Sequence, residues 1–141
     1  MNNVSGLTIR IIENISEKQK ILYYDASDVF ITASPIEPFG MTILESIVRG
    51  TPVVVVDAPG PREIFGIDYD INDPFIEIPA GVIARFGNEK EVVSNLAIAI
   101  SHLLENLPRF RSNVKKYRRK VLSKYSWEAV VKLLSQIYRD P

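Results

Sequence analysis

Two carboxylates, Glu37 and Glu45, stand eight positions apart across the segment E-P-F-G-M-T-I-L-E. A turn-like Pro-Phe-Gly follows the first carboxylate, and an apolar pattern typical of a helix leads to the second. The sequence predicts a buried strand just before this segment, at residues 29–34, and another after it, at residues 53–56. The carboxylates therefore stand where a strand ends and a helix begins, and open α/β sheets bind ligands at that edge.

The helix start that we predict near Phe39 or Gly40 would supply an anion site between the carboxylates. The first N–H groups of a helix have no intrahelical partners, and the macrodipole favours a phosphate there. Gly40 lacks a Cβ, so a phosphate could approach the backbone closely. Eight helical residues rise about 12 Å, roughly the span of a sugar, a diphosphate and a ribose. One carboxylate could accept hydroxyls of a transferred sugar, and the other could accept those of a ribose.

The spacing alone also fits a simpler interpretation. Glu at a helix start is often only a favourable dipole partner, and Glu in mid-helix usually lies on a solvated face. Ser34, Met41 and Thr42 could equally be a loop serine, a core methionine and a helix-start threonine. Helix propensity gives no reason for a threonine within the helix, which slightly favours a use for Thr42.

The longer string S-P-I-E-P-F-G-M-T-I-L-E-S-I-V-R-G-T-P-V-V-V-V-D-A-P-G-P-R-E-I-F, residues 34–65, carries more information. It closely resembles the donor-binding motif of retaining glycosyltransferases of family 4, the glycogen-synthase and sucrose-synthase-like group. That family typically shows a Ser before E-x7-E, then Gly-Thr-Pro-Val-Val, then a glycine-rich segment that ends in Glu-Ile. The resemblance continues at residues 21–29, 81–84 and 125–127, so it covers nearly the whole chain from about Leu7.

The resemblance implies a role for each matching residue. Glu37 would contact the transferred sugar of the donor and act as the catalytic residue, whereas Glu45 would hold the ribose. Ser34 would lie near the nucleotide at the strand end. The phosphates and the sugar would meet backbone N–H groups, together with the Thr42 hydroxyl, in a donor-binding segment made of Phe39, Gly40, Met41 and Thr42.

The resemblance also implies an α/β fold with a partial Rossmann-like parallel sheet of about four strands flanked by helices. This is the C-terminal half of a two-domain GT-B glycosyltransferase. We predict a nucleotide-sugar-binding domain at residues 7–125, with a C-terminal helix at residues 126–141 packed on it. Strands are predicted at 7–12, 29–34, 53–56 and 81–86, helices at 17–27, 39–49, near Pro61, 90–105, 108–124 and 126–139, and a loop at 66–80.

The chain departs from the complete family pattern in three respects. The acceptor domain and its histidine are not matched, and His102, the only histidine, lies in a helix pattern typical of a structural residue. The Arg/Lys pair that neutralises the donor phosphates is expected before Leu7 and is not found there. Arg10 is a poor substitute inside a strand pattern. If the chain alone bound donors tightly and transferred sugar, Arg62 would be the first candidate for the phosphate-binding cation. Two strands would also be missing between residues 7–12 and 29–34, so the first strand either pairs with the second or another chain fills the gap.

Composition limits the classes of function. A length of 141 residues indicates one domain, and 46% apolar residues suffice for a core. The formal charge of +0 does not favour nucleic acid as a partner. The absence of cysteine and the single histidine argue against a thiolate or histidine metal centre, so we expect neither metal nor cofactor. The sequence shows no membrane-span pattern and no secretory signal, and a cytoplasmic protein is the expectation.

A basic run with interleaved aromatics occupies residues 109–120. Phe110, Val114, Tyr117 and Val121 follow at 4-3-4 spacing, which predicts a helix that packs through these residues and leaves its cations in solvent. Peripheral membrane contact stays open as the alternative, because many members of the resembled family act on lipid-linked acceptors.

Three functional hypotheses follow. In the first, the chain is the donor-binding part of a retaining glycosyltransferase that uses an NDP-sugar, and it is inactive without the missing N-terminal part. In the second, it is a non-catalytic split subunit or binding module that completes its fold on a partner, either an acceptor-domain chain or a second copy. In the third, it is a catalytically dead remnant or an excised piece of a longer enzyme.

Overall fold

The computed structural model describes residues 3–4 and 6–139, which form a small sheet flanked by helices. In chain order the elements are β1 (Asn3–Val4), β2 (Leu7–Thr8), α1 (Glu17–Ala26), β3 (Phe30–Thr32), α2 (Met41–Arg49), β4 (Val53–Val56), α3 (Pro59–Phe65), β5 (Phe75–Ile78), β6 (Gly81–Ala84), α4 (Glu89–Glu105), α5 (Leu107–Tyr125) and α6 (Trp127–Ile137).

The main sheet has four strands in the order β3-β4-β6-β5. β3, β4 and β6 run parallel, and β5 is antiparallel to β6. The predicted α/β fold with a four-stranded sheet and flanking helices is confirmed, but the sheet is mixed rather than parallel. The interpretation of residues 66–80 as a loop was wrong over β5, because this edge strand is only partly buried and pairs on one side, so it carries no long apolar run.

The core lies on both faces of β4, whose four valines are all buried. On one face Val53 and Val55 join side chains of α2, α3 and α5, while on the other Val54 packs with residues of β6 and α4. β6 starts very close to β4: a Cβ placed on Gly81 would lie 1.8 Å from the Val53 carbonyl oxygen. A continuous β-branched run is typical of a strand buried on both faces, as predicted from the sequence.

The predicted strand at residues 7–12 is wrong beyond Thr8. β2 pairs with β1 in a separate two-stranded antiparallel ribbon, and residues 9–16 form neither helix nor strand. No core covers this segment, since Ile11 is 85% exposed. The alternative in which this strand pairs with β3 is therefore also wrong, and β3 ends the strand order of the described sheet. Filling of that edge by another chain stays a prediction.

The helix signals were more reliable than the first strand signal. Ser16 caps α1 in a capping box with Gln19, and Gly50 ends α2 in the left-handed conformation with φ 87°. The packing face predicted for the basic helix is confirmed, because Phe110, Val114, Tyr117 and Val121 are the buried residues of α5. His102 bonds Glu77 at 2.7 Å and lies against Phe75 at a ring separation of 4.7 Å, which are structural contacts.

Candidate functional site

The loop between β3 and α2 carries the first carboxylate and is held against α3. The Gly60 N–H, at the start of α3, donates to the Glu37 carbonyl oxygen at 2.7 Å. A Cβ on Gly60 would lie 2.6 Å from that oxygen and 2.7 Å from the Phe39 carbonyl carbon, so a side chain does not fit there. Glycine at position 60 therefore allows this loop to rest directly on the first turn of α3.

Glu37 folds back over the beginning of α2. Its carboxylate oxygen Oε1 accepts the Gly40 N–H at 2.8 Å. Gly40 occupies the cap position with φ 94° and ψ 45°, a left-handed conformation that glycine adopts at little cost. The helix begins at Met41 rather than at Phe39 or Gly40, so Glu37 lies four residues before the first helical residue, further from it than the sequence indicated.

The first turn of α2 presents backbone donors. The first helical bond runs from the Leu44 N–H to the Gly40 carbonyl at 3.1 Å, and the N–H groups of Met41, Thr42 and Ile43 precede it. Among the described residues no side chain caps this helix. Met41 and Thr42 are exposed, so a ligand can approach from their side. This geometry suits a phosphate at the positive end of the helix.

Glu45 lies one turn further along α2 and contacts α1. The Lys20 ammonium donates to its Oε1 at 3.0 Å, and the Tyr24 hydroxyl donates to its Oε2 at 3.0 Å. The Glu45 side chain remains 31% exposed, so solvent and ligands can reach it. Burial, assisted by the hydrogen bond to Glu45, raises the pKa of Tyr24 to about 12, further above neutral pH than its ordinary value of 10.0.

Lys20 is the cation of the site that sequence reasoning missed. It also contacts Glu17 at 2.9 Å, and hydrogen bonds to Glu17 and then to Glu45 raise the pKa of Lys20 above its ordinary value. Its spacing four residues before Tyr24 places both side chains on one face of α1. That relation could be read from the sequence, but the docking of α1 on α2 could not.

The remaining predicted residues contribute to the shape of the loop. The Ser34 hydroxyl donates to the Ile36 carbonyl at 3.0 Å, and Phe39 packs edge-on against Tyr125 at 5.7 Å. The structure therefore brings Glu37, Gly40, Met41 and Thr42 together at the helix start, with Ser34 at the other end of the loop. The roles assigned to these residues stay predictions.

Arg62, the first candidate phosphate cation, makes fold contacts instead. Its guanidinium binds both carboxylate oxygens of Asp57, at 2.6 and 2.8 Å, and donates to the Tyr69 carbonyl at 3.0 Å. The hydrogen bond to Asp57 raises the pKa of Arg62. Three of its five N–H donors bind these partners, so Arg62 connects the end of β4 to the loop after α3.

A cavity of about 430 Å³ opens beside Glu45, between α2 and the junction of α5 and α6. Its lining is mostly apolar and includes Phe39, Met41, Glu45, Tyr125 and Trp127. Over residues 3–4 and 6–139, no group of three or more His, Cys, Asp or Glu side chains is placed to hold a metal ion. In that same part of the chain, no helix has the length and apolar character needed to cross a membrane.

Comparison with known proteins identifies the family. The family described as "Glycosyl transferases group 1" matches residues 6–121, which is most of the chain. The chain belongs to this family, as the motif between Ser34 and Phe65 predicted.

Individual relatives agree with this assignment. The chain is 28% identical over 116 residues to an uncharacterized glycosyltransferase of Methanocaldococcus jannaschii, covering 82% of this chain and 26% of that protein. A 45-residue stretch, 32% of this chain, is 47% identical to alpha-monoglucosyldiacylglycerol synthase of Streptococcus pneumoniae, of which it covers 10%. The structure resembles sucrose-phosphate synthase from Thermosynechococcus elongatus with a TM-score of 0.69 and 26% identity, over 91% of this chain and 29% of that one. The chain thus spans less than a third of each of these relatives.

Proposed function

We propose that this chain is the donor-binding part of a retaining glycosyltransferase that transfers a glycosyl group from an NDP-sugar to an acceptor. One observation carries the proposal: two reachable carboxylates, Glu37 and Glu45, flank the uncapped first turn of α2. Carboxylates accept from sugar and ribose hydroxyls, and the turn between them donates to phosphate. Family membership and the resemblance to sucrose-phosphate synthase support the same activity.

The roles divide along the donor. Glu37 binds the transferred sugar and acts as the catalytic residue, and Glu45 binds the ribose. Backbone N–H groups of the segment from Phe39 to Thr42 receive the phosphates, and the Thr42 hydroxyl and Ser34 complete the site. A donor sugar must displace the Gly40 N–H from Glu37 or share the carboxylate with it, because that carboxylate is already hydrogen-bonded.

The isolated chain is expected to bind donors weakly and not to transfer sugar. Arg62 is paired with Asp57, and Lys20 is paired with Glu17 and Glu45. Both cations therefore already have carboxylate partners and do not provide a dedicated charge for a diphosphate. Phosphate contacts are strong when a cation accompanies the hydrogen bonds, and backbone amides alone lack that charge. Transfer is further expected to need an acceptor domain, and the chain spans only 26% and 29% of two of its relatives.

The experiment that tests the proposal is a titration of UDP-, GDP- and ADP-sugars against the 141-residue chain, followed by NMR chemical shifts. We expect shifts concentrated at the amides of Met41, Thr42 and Ile43, and weaker binding in Glu45→Ala. Glu105→Ala, an exposed position at the end of α4, is the matched control and should bind as the wild type does. Absence of any shift at millimolar nucleotide sugar would contradict donor binding.

A second candidate is a split subunit or binding module that completes its sheet on a partner. The observation that favours it is the outer edge of β3, where Ile31 is 43% exposed and no described strand follows. Such an edge can pair with another chain. If β3 pairs in solution, sedimentation velocity should show concentration-dependent association that Ile31→Lys reduces. Ile11→Lys, at a more exposed position outside the sheet, should not reduce it.

Peripheral membrane contact is a further proposal for the same chain. α5 carries exposed cations such as Lys115 and Lys116, and α6 exposes an apolar end in which Trp127 is 81% accessible. Basic residues and interfacial tryptophan together favour an anionic lipid surface. Co-sedimentation with vesicles that contain anionic lipid, compared with neutral vesicles, tests this contact. Equal recovery in the supernatant with both vesicle types would contradict it.

A further inference from the structure

We propose that Lys20 and Tyr24 are positioning residues for Glu45: they fix its carboxylate so that the ribose of a donor meets a pre-oriented, partly neutralised acceptor. The inference rests on the proposed function, because it assumes that Glu45 binds ribose. It adds two residues of α1, a helix outside the loop and helix that carry the E-x7-E motif.

The geometry at Glu45 leaves room for a ligand. Each carboxylate oxygen receives one protein donor, Lys20 Nζ on Oε1 and the Tyr24 hydroxyl on Oε2, both at 3.0 Å. An ionised carboxylate offers about four lone-pair sites, so roughly one site on each oxygen remains. Two vicinal hydroxyls of a ribose need two acceptor sites in fixed orientation, and the two existing bonds hold the carboxylate plane in place.

The two donors are themselves fixed. Tyr24 is 7% exposed and packs edge-on against Phe30 of β3 at 5.6 Å. Its backbone carbonyl accepts the Thr51 hydroxyl at 2.7 Å, and the next residue, Asp25, binds Arg49 Nε at 2.6 Å. These contacts attach α1 to the C-terminal end of α2, to Thr51 just after it and to the sheet. The bond from Tyr24 to Glu45 is therefore part of an ordered arrangement, unlike an isolated surface ion pair.

A purely structural role would predict different behaviour. If Lys20 and Tyr24 only joined α1 to α2, their loss would weaken the binding of all nucleotides equally or only reduce stability. If they act through Glu45, their loss should matter only for ligands that carry the ribose hydroxyls. Nucleotides with and without those hydroxyls therefore separate the two roles.

The experiment titrates UDP, GDP and ADP, each against its 2′,3′-dideoxy counterpart, into the 141-residue chain and its variants Lys20→Met and Tyr24→Phe. Lys18→Met and Tyr23→Phe are the matched controls, because both positions are exposed on the same helix. We expect Lys20→Met and Tyr24→Phe to weaken binding of the ribonucleotide by about tenfold, the size of one charge-assisted hydrogen bond. They should leave dideoxynucleotide binding and both controls unchanged. In the Glu45→Ala background, Lys20→Met should have no further effect.

Each outcome decides something. An equal loss for ribonucleotides and dideoxynucleotides would overturn the positioning role, because a purely structural contact between α1 and α2 predicts that result. Unchanged ribonucleotide binding in both variants would overturn it as well. If the wild type binds none of the six nucleotides at millimolar concentration, the proposed function fails and the inference fails with it. Circular dichroism checks folding, and Lys20→Gln replaces Lys20→Met if the latter does not fold.

Discussion

The Gly60 N–H donates to the Glu37 carbonyl oxygen at 2.7 Å, and through this bond the first turn of α3 supports the loop that carries the proposed sugar-binding carboxylate. The N–H of Gly60 belongs to the start of a helix and has no intrahelical partner. This one backbone bond thus gives the free N–H at the start of α3 a partner and fixes the position of the loop relative to that helix. The carboxylate of the same Glu37 then reaches the next helix start, at Gly40.

Gly60→Ala adds only one methyl group, but we expect it to disturb the site strongly. The added Cβ would lie 2.6 Å from the Glu37 carbonyl oxygen, so the loop must move away. We expect a loss of about 1–3 kcal/mol in the free energy of unfolding, as for other overpacked positions, together with a loss of donor binding. Chemical denaturation and nucleotide titration measure the two effects.

Gly66→Ala is the control for Gly60→Ala. Gly66 has φ 70° and nothing within 4 Å of an added Cβ, so alanine there strains the backbone without touching the site. Its stability should fall while donor affinity stays unchanged. A Gly60→Ala variant with normal donor affinity would show that the loop does not need this contact.

Substitution of Glu37 and substitution of Glu45 should have different effects on donor binding and on sugar transfer. Loss of one charge-assisted hydrogen bond costs about 1.5–3 kcal/mol, so Glu45→Ala should weaken binding of free nucleoside diphosphate by that amount. Glu37→Ala should leave that binding nearly intact and reduce sugar transfer by an enzyme that contains the acceptor domain. Calorimetry with UDP, GDP or ADP, combined with a transfer assay, measures both. The reverse pattern would exchange the two roles.

Transfer by the complete enzyme should not require a divalent metal. Asp68 and Asp70 form an Asp-x-Asp pattern, but they lie in the loop between α3 and β5, outside the segment from Glu37 to Glu45 that would receive the donor. The N-terminal turn of α2 can stabilise the phosphates through its N–H groups. Activity should therefore survive EDTA, and Asp68→Asn combined with Asp70→Asn should retain it. Activity that disappears with EDTA and returns with magnesium or manganese would refute the prediction.

Glu77 should contribute stability that is lost in acid. Hydrogen bonds from Arg109 and then from His102 lower the pKa of Glu77 to about 2, below its ordinary value of 4.5. A carboxyl group with a depressed folded-state pKa stabilises the fold above its unfolded pKa, and this contribution disappears as pH falls towards 2. The side chain is 40% exposed, so solvent screening should limit the effect to about 1 kcal/mol or less.

The measurement for Glu77 is the free energy of unfolding of the wild type and Glu77→Gln between pH 7 and pH 2. The wild type should be more stable at pH 7, and the difference should shrink between about pH 5 and pH 2. Glu105→Gln, an exposed position without these partners, should show no such trend. A constant difference in the free energy of unfolding across this range would mean that the pKa of Glu77 is the same in the folded and unfolded states.

Local signals in the sequence predicted the elements that local chemistry determines. The capping box at Ser16, the glycine at position 50 and the valine run of β4 each depend on neighbours in the chain. The 4-3-4 spacing in α5 identified its buried face for the same reason. The motif that starts at Ser34 predicted a helix that begins between Glu37 and Glu45, and the roles of the two carboxylates stay predictions.

Features that depend on distant contacts were missed. β5 exists because β6 offers it an edge, and residues 9–16 lack strand structure because no core covers them. Lys20 and Tyr24 reach Glu45 only when α1 docks on α2, across more than twenty residues of sequence. The Arg62–Asp57 pair spans only five residues, but its geometry depends on the turn between β4 and α3, which the spacing did not reveal. Periodicity reports which face of an element is buried, but not which neighbour covers it.

α1 is held to the rest of the fold through Tyr24, its only buried residue, and through polar bonds to α2 and Thr51. An element with little buried apolar surface opens at a low free energy, and its amides exchange with solvent before those of the core. When α1 opens, Glu45 loses Lys20 and Tyr24 together. A ligand that binds only the closed arrangement stabilises it by mass action, so occupancy of the ribose site and protection of α1 amides against exchange would rise together.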